Sequence, residues 1–420
     1  MDAVMIASKP MQSRPFQGWR IVAASLFSQA IQAGILIYAF GTIALAVELE
    51  FEVSRAEVMM SATALSLVTN IISPFIGRLV DTRSVRQLML FALGALVAGL
   101  FALSSTQQLW QVWLIFGTLM PVANVLLGQM ANTALISRWF VRFRGRAMGI
   151  AAVGTSVGGF IIPVLLTTLI EDYGWRLALM LLAVGTFLCM APVLYWMIIN
   201  NPADIGQNPD GAQQPALSPA PEAERNVLLG VMKERAFWCQ TVAIGVSLFV
   251  YLGFLANLYP HAISVGIPTH HAAALLSIVA ICAIAGKLTF GLVADYLDLR
   301  ITLLTSFLLI ILGALTLGNA NTYAGISSGA VLFGLAAGGL LPVWGTMVAR
   351  SFGTRRYGRA LGAMNIAMAP ITMLSAPYAG YLFDRHGSYH IAFTSYAGLM
   401  LIAAMSLIPL RFPKLTEVDG

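Results

Sequence analysis

Polar breaks divide the chain into apolar runs long enough to cross a lipid bilayer. A helix needs about 20 mostly apolar residues to cross a hydrocarbon core of about 30 Å. Twelve runs satisfy this, near residues 20–47, 57–79, 86–105, 109–137, 146–170, 175–199, 237–262, 270–294, 300–319, 322–349, 358–383 and 389–411. None shows the strict alternation of lipid-facing β-strands, so each run is predicted to be a helix. The pattern predicts an all-α membrane protein with twelve transmembrane helices, which we number as spans 1 to 12.

The few basic residues are concentrated on one side of the predicted membrane. Charged residues form only 10% of the chain, and of its 24 lysines and arginines only Arg55, Arg176, Arg385 and Lys287 lie outside the two terminal segments and alternate loops. Short loops rich in lysine and arginine stay in the cytoplasm. Both termini and the central linker are therefore predicted to be cytoplasmic, in an inner (plasma) membrane. Most of the formal charge of +6 therefore reflects membrane orientation. The basic residues do not form a soluble basic face, so no nucleic-acid partner is predicted.

A polar segment separates six spans from six. Residues 200–225 are rich in proline, glutamine and alanine and are predicted to remain unfolded, because they offer little apolar surface to bury. We predict an N-terminal six-helix bundle at 1–199, a cytoplasmic linker at 200–235 and a C-terminal six-helix bundle at 236–420.

The two bundles share short sequences at equivalent corners. "GRLVD" at Gly77–Asp81 recurs as "GLVAD" at Gly291–Asp295, and "GRAMG" at Gly145–Gly149 recurs as "GRALG" at Gly358–Gly362. Two six-helix pseudo-repeats are a known transporter plan, in which the substrate site lies near the membrane midplane between the halves.

These repeats resemble the major facilitator superfamily. "GRLVDTRSVR" at 77–86 is similar to the signature loop of that family between helices 2 and 3. The resemblance implies close helix packing at Gly77 and a latch for the cytoplasmic gate. In that latch Asp81 pairs with basic residues, here Arg83 and Arg86, and with a helix N-terminus.

The C-terminal copy of the latch is less complete. It supplies Asp295 and Arg300, but Leu297 stands at the position equivalent to Arg83. The resemblance therefore implies a weaker second latch. In the first copy, Ser84 stands where the family usually has a turn glycine.

A narrower resemblance concerns the bacterial monocarboxylate and oxalate/formate transporter group. The stretches similar to that group are "GWRIV" at 18–22, "RWFVRFRGRAMG" at 138–149, "YGWR" at 173–176 and "NPADIGQNPDG" at 201–211. "LLSIVAICAIAGKLTFGLVAD" at 275–295 resembles helix 8 of monocarboxylate transporters, where the family places an arginine and, four residues earlier, a polar or acidic partner. Those positions are Lys287 and Ala283 here, and Thr42 takes the place of a lysine in helix 1 of animal members. The resemblance thus implies an anion site with one cation.

Lys287 is a candidate on physical grounds as well. It lies eight residues, about 12 Å, before Asp295 at the end of span 8. A charge at the centre of a spanning helix costs about 2.5–3.5 kcal/mol on insertion scales. Ala283 and Gly291 on the same helix face leave room for a ligand, and no span interior contains an acidic residue. We predict that Lys287 binds an anion from solution, with snorkelling of its stem toward the interface as the alternative.

Other residues within the spans are weaker candidates for ligand contacts. Asn124 and Asn132 share a predicted helix face with Gly128 in span 4, but buried amides also serve as hydrogen bonds between helices. The same alternatives apply to Asn257 and Asn365. Aromatic side chains that could close a small pocket, or simply pack, are Tyr38, Tyr251 and Trp344.

Together these features predict a secondary transporter of a small organic anion, preferably a monocarboxylate, acting by alternating access as a monomer in the lipid bilayer. Uptake of an anion against an inside-negative potential favours a co-transported proton, carried by Lys287 or His261, and anion exchange is the alternative. Two other functions stay open. Efflux of drugs in exchange for protons usually needs a buried carboxylate, and a non-transporting membrane sensor normally carries a soluble signalling domain. The sequence has no Ser/His/Asp arrangement, Walker motif or metal-ligand cluster, so no enzyme activity, metal or cofactor is predicted.

Overall fold

The predicted spans fold into helices. The computed structural model describes residues 15–53, 55–212 and 227–410, and those ranges contain no strand. Spans 1 to 6 are Gly18–Phe51, Arg55–Thr82, Val85–Ser104, Leu109–Trp139, Arg144–Tyr173 and Trp175–Met197. Spans 7 to 12 are Arg235–Ser264, Thr269–Val293, Leu299–Asn319, Tyr323–Phe352, Tyr357–Met373 with Ser375–His386, and His390–Leu407. The all-α prediction is confirmed, and we call spans 1–6 the N-half and spans 7–12 the C-half.

Three spans, 1, 4 and 11, are interrupted. Span 1 passes from an α-helix at Gly18–Ala33 through one π-helical turn at Gly34–Tyr38 to an α-helix at Phe40–Phe51. Span 11 is divided at Leu374, four residues after Pro370. Each part of span 11 is shorter than 18 residues, so the other 11 of the described spans are the ones long and apolar enough to cross a membrane.

The third interruption lies in span 4 and corrects a prediction. Helix Leu109–Leu127 ends and helix Gln129–Trp139 begins at Gly128, whose backbone is extended, with φ −81° and ψ −152°. Asn132 Nδ2 donates to the two carbonyl oxygens at the break, at 2.8 and 2.7 Å, and so satisfies acceptors that the break leaves free. The prediction that Asn124, Gly128 and Asn132 share one helix face is therefore wrong, because the helix does not run through Gly128.

One end of the bundle carries the loops that follow spans 2, 4, 8 and 10. We call it the latch end and the opposite end the far end. At the latch end the repeated pentapeptides pack crosswise: "GRLVD" of span 2 lies against "GRALG" of span 11, and "GLVAD" of span 8 lies against "GRAMG" of span 5. Each copy of the first motif therefore contacts the second motif of the other half.

Glycine is needed at these crossings because the backbones touch. A β-carbon on Gly77 would collide with the Gly358 carbonyl oxygen, and a β-carbon on Gly145 would collide with the Gly291 carbonyl oxygen. Small residues allow such close approach of membrane helices. From the latch end, contacts between the halves continue along spans 5 and 8 as far as Lys287.

The first part of the linker is folded, contrary to the prediction. Residues 200–211, which we call the linker strap, contain two 3₁₀ turns, Pro202–Ile205 and Pro209–Gly211, and lie against the latch end of the N-half. Hydrogen bonds from polar side chains hold the strap there, which is why it folds without a large apolar surface. Residues 213–226 lie outside the described residues, and a short helix at Val227–Lys233 precedes span 7.

Candidate functional site

Lys287 lies between the two halves, six residues before span 8 ends, and its side chain is 7% exposed. Nζ donates hydrogen bonds to Thr155 Oγ1 at 2.6 Å and to Ser156 Oγ at 2.7 Å. Both hydroxyls belong to span 5 of the N-half, whereas the lysine belongs to the C-half. Within the described residues no carboxylate pairs with Lys287. The ammonium is therefore held by two neutral acceptors, which leave its charge without a counterion.

The Lys287 side chain extends away from the latch end. Its backbone carbonyl lies beside Gly149, whereas its ammonium reaches Thr155 and Ser156, six and seven residues further along span 5. That difference corresponds to about 9–10 Å along the helix axis. A snorkelling lysine this close to the end of span 8 would extend in the opposite direction. The geometry does not support the snorkelling alternative.

The π-helical turn in span 1 places Tyr38 against span 5, the helix that carries both hydroxyl partners of Lys287. The Tyr38 ring lies against Gly159, one helical turn beyond Thr155 in span 5, at a point where a β-carbon would collide with the ring. Single π-helical turns within α-helices often occur at functional sites. Tyr38 is 43% exposed and, like Gly159, lies on the far-end side of Thr155 and Ser156.

Tyr251 of span 7 faces Tyr38 from the C-half. Its ring is parallel to that of Phe333 in span 10, with ring centroids 6.0 Å apart. One phenol from each half is thus present, Tyr38 against span 5 and Tyr251 against span 10, and each hydroxyl can donate a hydrogen bond.

The amides predicted as ligands in the N-half have protein partners. Asn124 Oδ1 accepts from Gln32 Nε2 at 2.5 Å, and Asn124 Nδ2 donates to Thr69 Oγ1 at 3.2 Å. Asn132 is completely buried at the break in span 4. Asn124 therefore joins three helices of the N-half. Asn132 has no hydrogen-bond partner for its Oδ1 within the described residues, and its role as a ligand stays a prediction.

The remaining predicted ligands lie in the C-half. Asn257 donates to the Gly253 carbonyl oxygen of its own helix at 2.7 Å and is 8% exposed. Trp344 is 2% exposed, and its Nε1 has no hydrogen-bond partner within the described residues. Asn365 is half-buried in span 11. Of these, Trp344 and Asn365 retain polar atoms that could serve a ligand.

His261 does not lie near Lys287. It is three residues from the far end of span 7, where its Nε2 is 3.1 Å from the Leu317 carbonyl oxygen and its ring packs on Phe393. Lys287 is 18 residues beyond Thr269, where span 8 leaves the far end. The two side chains are therefore separated by on the order of 20 Å along the membrane normal.

The first latch joins Asp81 to the beginning of span 11. The carboxylate accepts hydrogen bonds from the backbone N–H groups of Gly358 at 2.8 Å and Arg359 at 3.0 Å, and Arg359 Nε lies 3.9 Å away. A carboxylate at a helix N-terminus also interacts favourably with the helix dipole. The structure thus places Asp81 on a helix N-terminus of the other half.

The predicted basic partners in this first latch are wrong. Arg83 is exposed, and the Arg86 guanidinium lies 5.7 Å from the centre of the Tyr195 ring. The basic residue that pairs with Asp81 is instead Arg359, because the crosswise packing brings span 11 to the carboxylate, and Arg138 of span 4 also interacts with it electrostatically.

The second latch repeats this arrangement with spans 8 and 5. Asp295 accepts from the backbone N–H groups of Gly145 at 2.6 Å and Arg146 at 3.1 Å, and Arg146 Nε lies 3.3 Å away. Burial raises the pKa of the Asp295 carboxyl, and these two backbone hydrogen bonds oppose that rise. Arg300, predicted to take part, pairs with its neighbour Asp298 at 3.7 Å. The expectation of a weaker second latch does not match the geometry, since its ion pair is the shorter of the two.

Comparison with known proteins identifies the family. A family model for the Major Facilitator Superfamily matches residues 22–273 and 261–419. The chain belongs to the Major Facilitator Superfamily. It is similar to monocarboxylate transporter 12 of Mus musculus, with 29% identity over 77% of this chain and 71% of that protein, and to monocarboxylate transporter 13 of Bos taurus, with 26% identity over 93% and 88%. The solved structure of the proton:xylose symporter XylE matches it with a TM-score of 0.74 at 11% identity, over 94% of this chain and 96% of that one.

Membership of the Major Facilitator Superfamily confirms the predicted fold and the general function. The protein is a multi-pass membrane transporter, and its similarity to monocarboxylate transporters agrees with the narrower resemblance found in the sequence. The likeness to XylE shows the fold alone, because the sequences are 11% identical.

Close packing at Gly77 gives a testable expectation for this facilitator. In Gly77→Ala the new methyl group meets the Gly358 carbonyl oxygen, so closure of the latch end should become less favourable by about 1–3 kcal/mol. We expect the fraction of latch-closed molecules to fall, as measured by spin-label distances across the latch end. Gly94→Ala in span 3 is the matched control, because a β-carbon there meets no heavy atom within 4 Å. Equal distance distributions in the two variants would contradict the packing argument.

Proposed function

We propose that this facilitator is a secondary transporter of a small organic anion, with a monocarboxylate as the preferred class, and that Lys287 binds the carboxylate. The observation that carries the proposal is the buried ammonium bonded to two neutral hydroxyls, with no carboxylate partner within the described residues. A carboxylate from solution supplies the missing counterion. The names of the relatives, monocarboxylate transporters 12 and 13, support the substrate class.

Substrate enters this conformation from the far end. The latch end is closed by Asp81 and Asp295, whereas Tyr38 is partly exposed on the far-end side of Lys287. An arriving carboxylate takes hydrogen bonds from the ammonium and from the hydroxyls of Tyr38 and Tyr251. Since the acceptors of Lys287 belong to the other half, opening the latch end separates Lys287 from Thr155 and exposes the bound anion to the opposite side.

A proton accompanies the anion in the mechanism that we favour. Moving one uncompensated charge against the membrane potential costs about 2.3 kcal/mol per 100 mV, and a neutral pair avoids this cost. Within the described spans no carboxylate lies near Lys287, and His261 is far from it. We therefore assign the proton to Lys287 itself. Anion exchange is the second candidate, favoured by the two hydroxyl bonds, since these help to keep the ammonium charged.

Uptake into liposomes tests the proposal directly. Purified protein would be reconstituted and screened with labelled lactate, pyruvate, formate, oxalate and an aromatic acid, against xylose as a neutral control. Saturable uptake of at least one monocarboxylate is expected. Uptake of the neutral sugar alone, with none of the acids transported, would reject Lys287 as a substrate ligand.

The latch end is proposed to face the cytoplasm of a cell whose inner (plasma) membrane holds the protein, with both termini and the linker on that side. The basic residues of the latch-end loops support this orientation. A reporter enzyme that is active only in the periplasm, fused after Gly420 and expressed in a Gram-negative host, should be inactive. The same reporter inserted after Gly387, in the far-end loop between spans 11 and 12, should be active. The reverse pattern would invert the orientation.

A further inference from the structure

A polar cavity lies at the latch end, away from Lys287. It has a volume of about 900 Å³ and is enclosed by the loop after span 2, the end of span 4, the loop after span 10 and the linker strap. Its walls come from both halves, since Thr354 and Arg355 belong to the C-half and the other lining residues precede it in the chain. The complete cavity therefore exists while the latch end is closed.

The linker strap is fixed as one wall of this cavity. Asn200 Nδ2 donates to Ser84 Oγ at 2.9 Å, and Asn200 Oδ1 accepts from the Arg86 backbone N–H at 3.1 Å. At the other end of the strap the Asp210 carboxylate accepts from the backbone N–H groups of Val141 at 2.9 Å and Arg142 at 2.7 Å. The motif "NPADIGQNPDG", which plays no part at Lys287, thus has a structural task at the latch end.

The two carboxylates in this cavity are already engaged. Asp81 accepts from two backbone N–H groups at the start of span 11, and Asp204 accepts from the Asn201 backbone N–H at 3.0 Å. Arg138, which interacts electrostatically with both, also donates to the Val80 carbonyl oxygen at 2.6 Å. The two carboxylates and the Arg138 guanidinium therefore have partners within the protein.

Two arginines in the cavity have no such partner. Arg83 of the N-half and Arg355 of the C-half are both exposed and line the same space, and neither forms an ion pair with any described residue. Like charges brought together by latch closure repel one another. A bound anion that contacts both guanidinium groups would turn this repulsion into attraction, and guanidinium groups bind phosphate and carboxylate with paired hydrogen bonds.

We propose that the latch-end cavity binds a soluble polyanion, a small molecule with at least two phosphate or carboxylate groups, which bridges Arg83 and Arg355 and holds the latch end closed. With the orientation proposed above, this ligand comes from the cytosol. A ligand that binds only the closed state shifts the population toward that state, so the polyanion acts as an inhibitor of transport. The site is separate from the Lys287 site and does not depend on which anion is transported.

Spin-label distances across the latch end test this proposal with pyrophosphate as the probe. The full chain, with its three cysteines replaced, would carry labels at Gln87→Cys in the N-half and Leu297→Cys in the C-half, two exposed positions outside the cavity lining. Pyrophosphate should increase the short-distance population in a saturable manner. Sodium chloride at the same ionic strength should not. An equal response to both salts would mean charge screening only and would overturn the proposal.

Variants identify the groups responsible. Arg83→Ala and Arg355→Ala should each weaken pyrophosphate binding, measured by calorimetry, by roughly tenfold or more. Arg142→Ala, an exposed arginine of the same end that does not line the cavity, should bind as the parent does. Parental affinity in both cavity variants would place the anion elsewhere. Repeating the measurement in nanodiscs of zwitterionic and of anionic phospholipid separates the sources of phosphate, since closure by anionic lipid without pyrophosphate would reject a soluble ligand.

Discussion

Replacing Lys287 with alanine is expected to abolish measurable binding of the transported anion while the protein remains folded. Removing one member of a buried, hydrogen-bonded charge pair typically costs about 2–5 kcal/mol of binding free energy, which corresponds to a loss of roughly 30-fold to several thousand-fold. Folding should not suffer, because the substitution also removes a cation from the membrane interior, where it costs about 2.5–3.5 kcal/mol. The melting temperature without substrate should therefore equal or exceed that of the parent.

Calorimetric titration with a transported monocarboxylate measures this effect, and two variants complete the test. Lys287→Arg should keep binding, because a guanidinium group also pairs with a carboxylate. Lys233→Ala removes a lysine at the end of the short helix before span 7 and should bind as the parent does. Parental affinity in Lys287→Ala would show that the cation has another role.

The hydroxyl partners allow a finer test of the same site. Thr155→Val keeps the shape of the side chain and removes the acceptor at 2.6 Å from Nζ. If the hydroxyl holds the ammonium, the substitution should weaken anion binding in the parent. It should also lower the melting temperature of the parent, because one hydrogen bond of the buried ammonium is lost, but not that of Lys287→Ala. Such non-additivity between contacting residues is what a double-mutant cycle detects.

The features that sequence could predict depend on composition and on local repeats. Apolar length identified the twelve spans, and the position of Lys287 within an apolar run identified it as unusual, because both follow from the cost of placing polar groups in lipid. The repeated pentapeptides and their glycines could also be identified from the sequence. Their crosswise pairing could not be predicted, because it depends on how the two halves meet in three dimensions.

Two misassignments have physical causes of the same kind. The prediction that Asn124 and Asn132 share a face assumed a continuous helix. The extended backbone at Gly128 ends that helix, and a single glycine in the sequence is not enough to predict a break. The partner of Asp81 was sought within its own loop, although the closed latch brings Arg359 from a position 278 residues away. Contacts between distant segments leave no local pattern.

The partners of Lys287 were missed for a similar reason, although one signal existed. Thr155 stands among the glycines of span 5, Gly154, Gly158 and Gly159, and close packing alone does not require a hydroxyl there. Gly154 and Gly158 pack against the backbone of span 1, at Leu26 and Ala30. This packing orients Thr155 and Ser156 toward span 8, which only the structure reveals.

Replacing Lys287 with arginine is expected to separate substrate binding from proton coupling. Burial away from water disfavours the charged form of an amine and a neighbouring carboxylate favours it, so a lysine can take up a proton together with the anion. Arginine does not release its proton in proteins. The variant should therefore bind and exchange substrate but lose accumulation driven by a pH gradient.

Proteoliposomes with an imposed gradient measure the difference. One pH unit supplies about 1.4 kcal/mol per proton, enough for roughly tenfold accumulation by the parent. Lys287→Arg should reach no accumulation above the equilibrium level, while its exchange of labelled for unlabelled substrate continues. His261→Gln is the matched control, because His261 lies far from the site, and it should accumulate substrate as the parent does. If Lys287→Arg accumulates substrate on the gradient as well as the parent, the lysine does not carry the proton. If the parent itself exchanges substrate but never accumulates it, Lys287 stays charged throughout the cycle, held so by Thr155 and Ser156, and the protein is an anion exchanger.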